Sequence, residues 1–422
     1  MTIQNIRIRI HFYRASLLFL ILGFLISPQP GFAQWTQWGG PNRNFSVESD
    51  PLSLNWTENG PEELWNHEFG DGFSTILYED GILYTTKRNG DLDAVVALQA
   101  STGKIIWETN YEAPMKPKMI LDFGHGPVSS PLLVGDKLYT ISLTVILNCL
   151  NKKTGAIIWS KDLMEEMQAS HMGRGYGPSS IAYKNMIIVN VGGKDQAVVA
   201  FDQESGEVIW KSQSFRNGYS SSILVNIEGE DQLFVAMGAD RAGLDPNTGE
   251  LKWHHAFPQT ASTLFTTQHL GKDNLLFGSQ AYADGSRVLE ITKKDGKYEA
   301  KELWYNRKMR IMYGTYARIG DYIYGSSGGF GPAFLMCLDI KTGKIMWRKR
   351  GFSRAHLSYA DEKLIILDED GNLAIATATP EGLTIHSKAH IIERTAWTPP
   401  TLVGSKLYIR NRTKIKALEL GK

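Results

Sequence analysis

Arg174, Arg216, Arg310, Arg354 and Arg394 are the residues of this 422-residue sequence best suited to act together chemically. A guanidinium is planar and always charged, and its forked donors match a carboxylate or a phosphate. In the same or equivalent segments stand His125, His171 and His356, the carboxylates Asp71 and Asp122, and the aromatics Tyr313 and Trp397. Five arginines and three histidines against two aspartates make a set suited to an anionic ligand. The competing reading is that these are solvated loop charges pairing with "KD" or "DED" turns nearby. In either case they are spread over more than 300 residues. Only a chain that returns to one axis at regular intervals could gather them.

Other chemistry is hard to find. The sequence has no HExxH, no GxSxG, no phosphate loop and no cysteine–histidine zinc spacing. "DEDGN" (368–372) resembles the start of a calcium loop but lacks the downstream glutamate, so a solvated turn is expected there and no metal site. No catalytic residue is assigned.

The elements that would position the arginines are written as a repeat. "ALQASTGKIIW" (97–107) returns as "CLNKKTGAIIW" (149–159), "AFDQESGEVIW" (200–210), "GLDPNTGELKW" (243–253) and "CLDIKTGKIMW" (337–347). The tryptophans Trp107, Trp159, Trp210, Trp253, Trp304 and Trp347 are spaced by 52, 51, 43, 51 and 43 residues. That period suits a four-stranded propeller blade. Short β-rich runs such as "KLYTISL" and "ILNCLNK" alternate with turn signals, and the motif glycines Gly103, Gly155, Gly206, Gly249 and Gly343 can supply a positive φ. Apart from a short helix at "KDLMEEMQ" (161–168), no helical periodicity follows residue 33. The fold class is all-β.

Inner strands are expected to begin near Phe73, Val128, Ser179, Ser220, Leu264, Thr315, Ala355 and Thr398, which gives eight blades of about 45 residues over 62–422. The sequence stops at "KIKALEL" (414–420), where a third strand should end. "EELWNHEF" (62–69) is expected to supply the missing outer strand and close the ring. Closure hides edges that would otherwise pair with other chains. Blades five, seven and eight depart from the pattern: one is stretched, one has no tryptophan and one is truncated.

These copies, with "WTQWGGPNRN" (35–44), resemble the pyrroloquinoline quinone (PQQ)-type propeller repeat. That superfamily includes quinoprotein dehydrogenases and the outer-membrane assembly protein BamB. The resemblance implies that each tryptophan docks between neighbouring blades, beside the glycine and the small first residue of the motif. Cys149 and Cys337 occupy that first position, in blades two and six on opposite sides of the ring. They are therefore expected as small buried free thiols, too far apart for a disulfide. The dehydrogenases hold PQQ under a disulfide of adjacent cysteines, with calcium and an aspartate base. The two cysteines here are far apart in sequence, so no cofactor is expected, PQQ with calcium being the alternative.

The chain begins with Arg7, Arg9 and Arg14, the uncharged run "ASLLFLILGFLIS" (15–27) and a small residue, Ala33. That is the layout of a secretory signal peptide over 1–33, cleaved between Ala33 and Gln34. An uncleaved anchor is the alternative, although the apolar run is short for a span. Cleavage would move the formal charge from +1 to −2. A near-neutral chain has no electrostatic footprint for nucleic acid or an anionic membrane surface. Residues 34–61 are expected to form an extension packed on the propeller, although its two tryptophans could also anchor a partner. The expectation is a periplasmic or extracellular monomer, a non-catalytic scaffold for an envelope protein or an anionic small molecule. A PQQ-dependent oxidoreductase is the alternative, and a sugar or polyanion sensor a third reading.

Overall fold

The computed structural model describes residues 34–257, 266–270, 273–280, 285–329 and 331–421, with the backbone alone at 266–270 and Tyr313. The expected signal peptide and the expected strand start at Leu264 lie outside these residues. The chain forms eight antiparallel sheets of four strands, an eight-bladed β-propeller. Seven blades are contiguous in sequence. The eighth takes Thr401–Val403, Lys406–Arg410 and Lys414–Glu419 from one end of the chain and Glu62–Glu68 from the other. Glu62 pairs with Glu419 and Glu68 with Lys414, so the ring is closed by hydrogen bonds. Leu163–Met167 is the one helix among the described residues, capped by the Asp162 side chain.

The motif is a turn, a bulge and a joint in eleven residues. In blade 3 the Asp202 carboxylate accepts from the backbone N–H groups of Glu204 and Ser205, at 3.0 and 2.9 Å. Gly206 N–H then donates back to the Asp202 carbonyl at 2.9 Å with φ +71°, which a residue with a Cβ adopts only under strain. Four residues later Trp210 faces Ala200 across the ladder, and the register slips by one between Ala200 and Phe201. A bulge of this kind stands beside the corresponding position of every blade, including Glu63/Trp65 in blade 8.

Four of the motif indoles donate to the next blade's turn. Trp107 Nε1 donates to the Lys152 carbonyl, Trp159 to Gln203, Trp304 to Ile340 and Trp347 to Thr379. A Cβ on Gly155, Gly206, Gly249 or Gly343 would stand 2.8 Å or less from the tryptophan or its neighbour in the preceding blade. Trp253 instead bonds Gln232 in its own blade. Trp65, in the closing strand, donates to the Ala100 carbonyl and packs on Gly103, which makes the same joint between blades 8 and 1. Cys149 and Cys337 face Trp159 and Trp347 as buried free thiols. Burial pushes their pKa values up to about 11 and about 12.

Residues 34–61 run across one end of the ring. Trp35 exchanges two backbone hydrogen bonds with Tyr78 of blade 1, and Leu133 N–H of blade 2 donates to the Thr36 carbonyl. Arg43 is buried and donates to the carbonyls of Ser180 and Ser222, in blades 3 and 4, at 2.6 and 2.7 Å. Burial lowers its pKa to about 9, which leaves it charged at neutral pH. The segment then returns to Tyr359 of blade 7 and Leu420 of blade 8. Among the described residues no tryptophan of the repeat motif serves the seam between blades 7 and 8. There Leu52, Val47, Leu54 and Trp56 pack among Ile375, Ile391, Leu402 and Leu418.

Candidate functional site

The extension makes the propeller channel a cup. Trp38, held edge-on to Phe45 with ring centroids 5.0 Å apart, forms part of the lining of a cavity of about 230 Å³ on the axis. Above it the wall is largely aromatic: Phe73, Phe123, Tyr219 and Trp397. Trp397 lies 5.4 Å from Phe73 and 5.0 Å from Phe123, ring to ring. Ile120 and Phe123, 49% and 44% exposed, mark the rim where the cavity meets solvent. A second hollow of about 510 Å³ adjoins it over Arg354, Glu369, Gly329 and Pro332.

The twelve residues singled out by sequence have several different fates here. Arg174 and His356 line the main cavity together with Trp397. Arg174 lies over the Phe123 ring at 5.0 Å, and its Nη1 is buried with no hydrogen-bond partner. His356 is buried, and its Nε2 lies 2.8 Å from the Trp397 carbonyl. Burial drives its pKa down to about 4, so the ring is neutral.

Arg354, Arg394 and Trp397 converge on one carboxylate. Arg354 makes a two-pronged pair with Glu369 at 2.9 and 2.8 Å, and Trp397 Nε1 donates to Glu369 Oε2 at 3.0 Å. Arg394 pairs with Asp370 at 3.2 Å and approaches Glu369 at 3.8 Å. Asp71 is held by Arg412 at 2.9 and 3.0 Å and accepts from His125 N–H. Asp122, His125, Arg216 and Arg310 are exposed and line neither hollow, and His171 is half-buried outside both. Tyr313 lies outside the described side chains.

Glu369 belongs to the "DED" turn that the competing reading offered as a partner for the loop charges, and Arg354 and Arg394 do pair with that turn. The turn at 368–372 forms, with Asp368 accepting from Asp370 N–H and Asn372 N–H, but its first two carboxylates are not solvated. Asp368 and Glu369 are 1% and 5% exposed, because Arg354, Arg394 and Trp397 cover them. The signal available was the charge pattern: an acidic turn facing two arginine-bearing loops of neighbouring blades.

The family described as outer membrane protein assembly factor BamB (PQQ_2) matches residues 93–349, more than half of the chain. The chain belongs to that family. Among curated proteins it is similar to BamB of Shewanella oneidensis, 21% identical over 290 residues, which cover 64% of this chain and 68% of that protein. It is also similar to a quinoprotein ethanol dehydrogenase of Pseudomonas putida, 30% identical over 159 residues, which cover 35% of this chain. That match spans 24% of the enzyme's length. Two solved structures share the fold. BamB from Moraxella catarrhalis superposes with a TM-score of 0.60 at 14% identity, over 85% of this chain and 99% of that one. A europium-containing methanol dehydrogenase gives 0.67 at 12% identity, over 89% of each chain.

Members of this fold with a quinone cofactor prompt a test of the cavity against PQQ and a cation. PQQ is a tricarboxylate, and a hard cation needs charged oxygen ligands. Among the described residues of this lining Arg174 is the only permanently charged cation and there is no carboxylate; Glu369 stands in the adjoining hollow, already paired with Arg354. Among the described residues no three histidine, cysteine, aspartate or glutamate side chains gather as a metal set. The residues present do not fit that pair. No helix among the described residues is long and apolar enough to cross a membrane.

Proposed function

We propose that this chain is a non-catalytic propeller, a binding scaffold of the periplasm or cell exterior that meets its partner at the open end of the cup. The observation that carries the reading is the state of the ionisable groups at that end. Arg354, Arg394 and Asp71 are tied to protein partners, and His356 is a buried neutral ring. General acid–base work needs a titratable group poised within reach of a substrate proton. The mouth instead offers an apolar rim, Ile120, Phe123 and Val128, of the kind that marks an interaction site. Membership of a family described as an assembly factor supports an envelope protein as the partner.

The second reading, a PQQ-dependent oxidoreductase, draws on the similarity to quinoprotein dehydrogenases. The carboxylate-free lining argues against it. One pair of experiments separates them. Full-length protein incubated with PQQ and calcium should give no alcohol- or sugar-dependent dye reduction, and sustained turnover would overturn the scaffold reading. In envelope extracts, Ile120→Asp with Phe123→Asp should abolish capture of the protein retained by the wild-type chain. Undiminished capture would move the interface away from the mouth.

A further inference from the structure

Two polar atoms of residues that line the cavity have no hydrogen-bond partner. The Nη1 of Arg174 is a buried donor without an acceptor, and the Nδ1 of His356 is buried without a partner in a side chain only 5% exposed. The tautomer of His356 follows from its other nitrogen. A carbonyl oxygen can only accept, so Nε2 carries the proton that bonds Trp397, and Nδ1 of the neutral ring presents a lone pair. Leaving buried polar groups unmatched is costly, which makes each a specific demand on a ligand.

Several other polar groups of the wall are already engaged. Ser130 Oγ donates to Thr75 Oγ1 at 2.7 Å, Ser179 Oγ accepts from Ser130 N–H, and Ser221 Oγ accepts from Ser179 N–H. This hydroxyl chain links blades 1 to 4. Thr315 Oγ1 donates to the Leu357 carbonyl. Beside the Trp38 indole and the aromatic faces, Arg174 and His356 offer a guest one cationic donor and one neutral acceptor.

We propose that the cavity binds a small aromatic hydroxy-carboxylate, with its carboxylate on Arg174, its hydroxyl donating to His356 Nδ1 and its ring among Phe73, Phe123 and Trp397. This rests on the reading of the open end as a binding site and deepens it by naming a ligand class. Size agrees: about 230 Å³ lies below the ~300–1,000 Å³ of sites for drug-sized ligands, and suits a single ring. Charge agrees as well. One guanidinium balances one carboxylate, and with no acidic side chain in the lining an ammonium group would gain no counter-charge. The cation–π contact with Phe123 holds the Arg174 head against the wall before the ligand arrives.

Calorimetric titration of the full chain tests this with 4-hydroxybenzoate and 4-hydroxyphenylacetate as probes. At least one should bind saturably at one site per chain. Its methyl ether, which can no longer donate to Nδ1, and its methyl ester, which is uncharged, should each bind at least ten-fold more weakly. Arg174→Met should remove the preference for acid over ester, and His356→Leu the preference for hydroxyl over ether. The ether and ester comparisons use the wild-type chain, so a variant that fails to fold leaves the test standing. Saturable binding of neither probe, or equal affinity for acid, ester and ether, would overturn the proposal. Either result is distinct from PQQ-dependent turnover, which would instead remove the scaffold reading on which the proposal rests.

Discussion

Between blades 2 and 3 the indole of Trp159 lies on Gly206 and donates to the Gln203 carbonyl. Between blades 7 and 8 the space is filled by Leu52 and its neighbours from the far end of the sequence, and a histidine completes the contact. The first seam is made by residues about fifty apart in sequence, and the second by residues more than three hundred apart. The first uses a half-buried ring whose edge meets water, the second the buried Leu52 with the partly buried Val47, Leu54 and Trp56, and a neutral imidazole. A repeat can therefore lose its joint residue at one position when a non-repeating segment takes over the space. That segment then becomes part of the ring.

The contrast can be broken most sharply by truncation. Leu52→Ala should cost about 3–4 kcal/mol, the range for a buried leucine, whereas Trp159→Ala should cost only about 2 kcal/mol because its ring is already partly wet. Urea midpoints at constant m-value would report both, and the reverse order would mean that the seams are carried by the indoles alone.

Acid should strain the second seam and spare the first. His356 titrates near 6.5 when unfolded and at about 4 when folded, so its contribution is intact above pH 6.5 and lost as pH falls towards 4. That loss amounts to at most about 3 kcal/mol. Asp93, raised by burial to about 6, acts in the opposite sense between pH 6 and 4 and blunts the net slope. Comparing His356→Asn with wild type isolates the histidine term: the variant's urea midpoint should change less between pH 6.5 and 4, and parallel curves would refute the assignment.

The smallest effect concerns the glycines. Gly206 and Gly296 both have positive φ, +71° and +78°. A Cβ at Gly206 would stand 2.8 Å from the Trp159 ring, while one at Gly296 would meet nothing within 4 Å. Alanine at both should cost backbone strain, and Gly206→Ala about 1 kcal/mol more. Equal losses would mean that the ring and the glycine are not in contact in solution.

The joint and the turn were legible because each is local and repeated, and the ring closure because the repeat left the last blade one strand short. D-x-x-T/S-G states an Asx turn, and the tryptophan states the strand that follows. Trp65 was harder to recognise as a joint, because its motif is split: the small partner Ala417 sits at one end of the sequence and the indole at the other. The role of Arg43 was illegible for a different reason. Its partners are the carbonyls of Ser180 and Ser222, and any residue type would offer the same oxygen. Glu369 was misread because acidic turns are usually wet, and only packing of blades 7 and 8 reveals that two arginine loops close over it. Of the five arginines expected at the channel mouth, Arg174 lines the cavity, Arg354 and Arg394 pair with the "DED" turn, and Arg216 and Arg310 line neither hollow.

The stitching of Ser53 to Leu420, and of Glu62 to Glu419, also sets a timetable. Contacts between residues this distant in sequence pay a large loop-closure entropy before they return any energy, and chains rich in them fold slowly. Blades built from neighbouring residues can form in succession, but the last seam must wait for both chain ends to meet. Until then the molecule is an open crescent with two raw edges, one on blade 1 and one on blade 8. Such edges pair readily with other chains. The segment synthesised before any blade is therefore among the last to find its place, and the interval before it does so is when this protein is most exposed to aggregation.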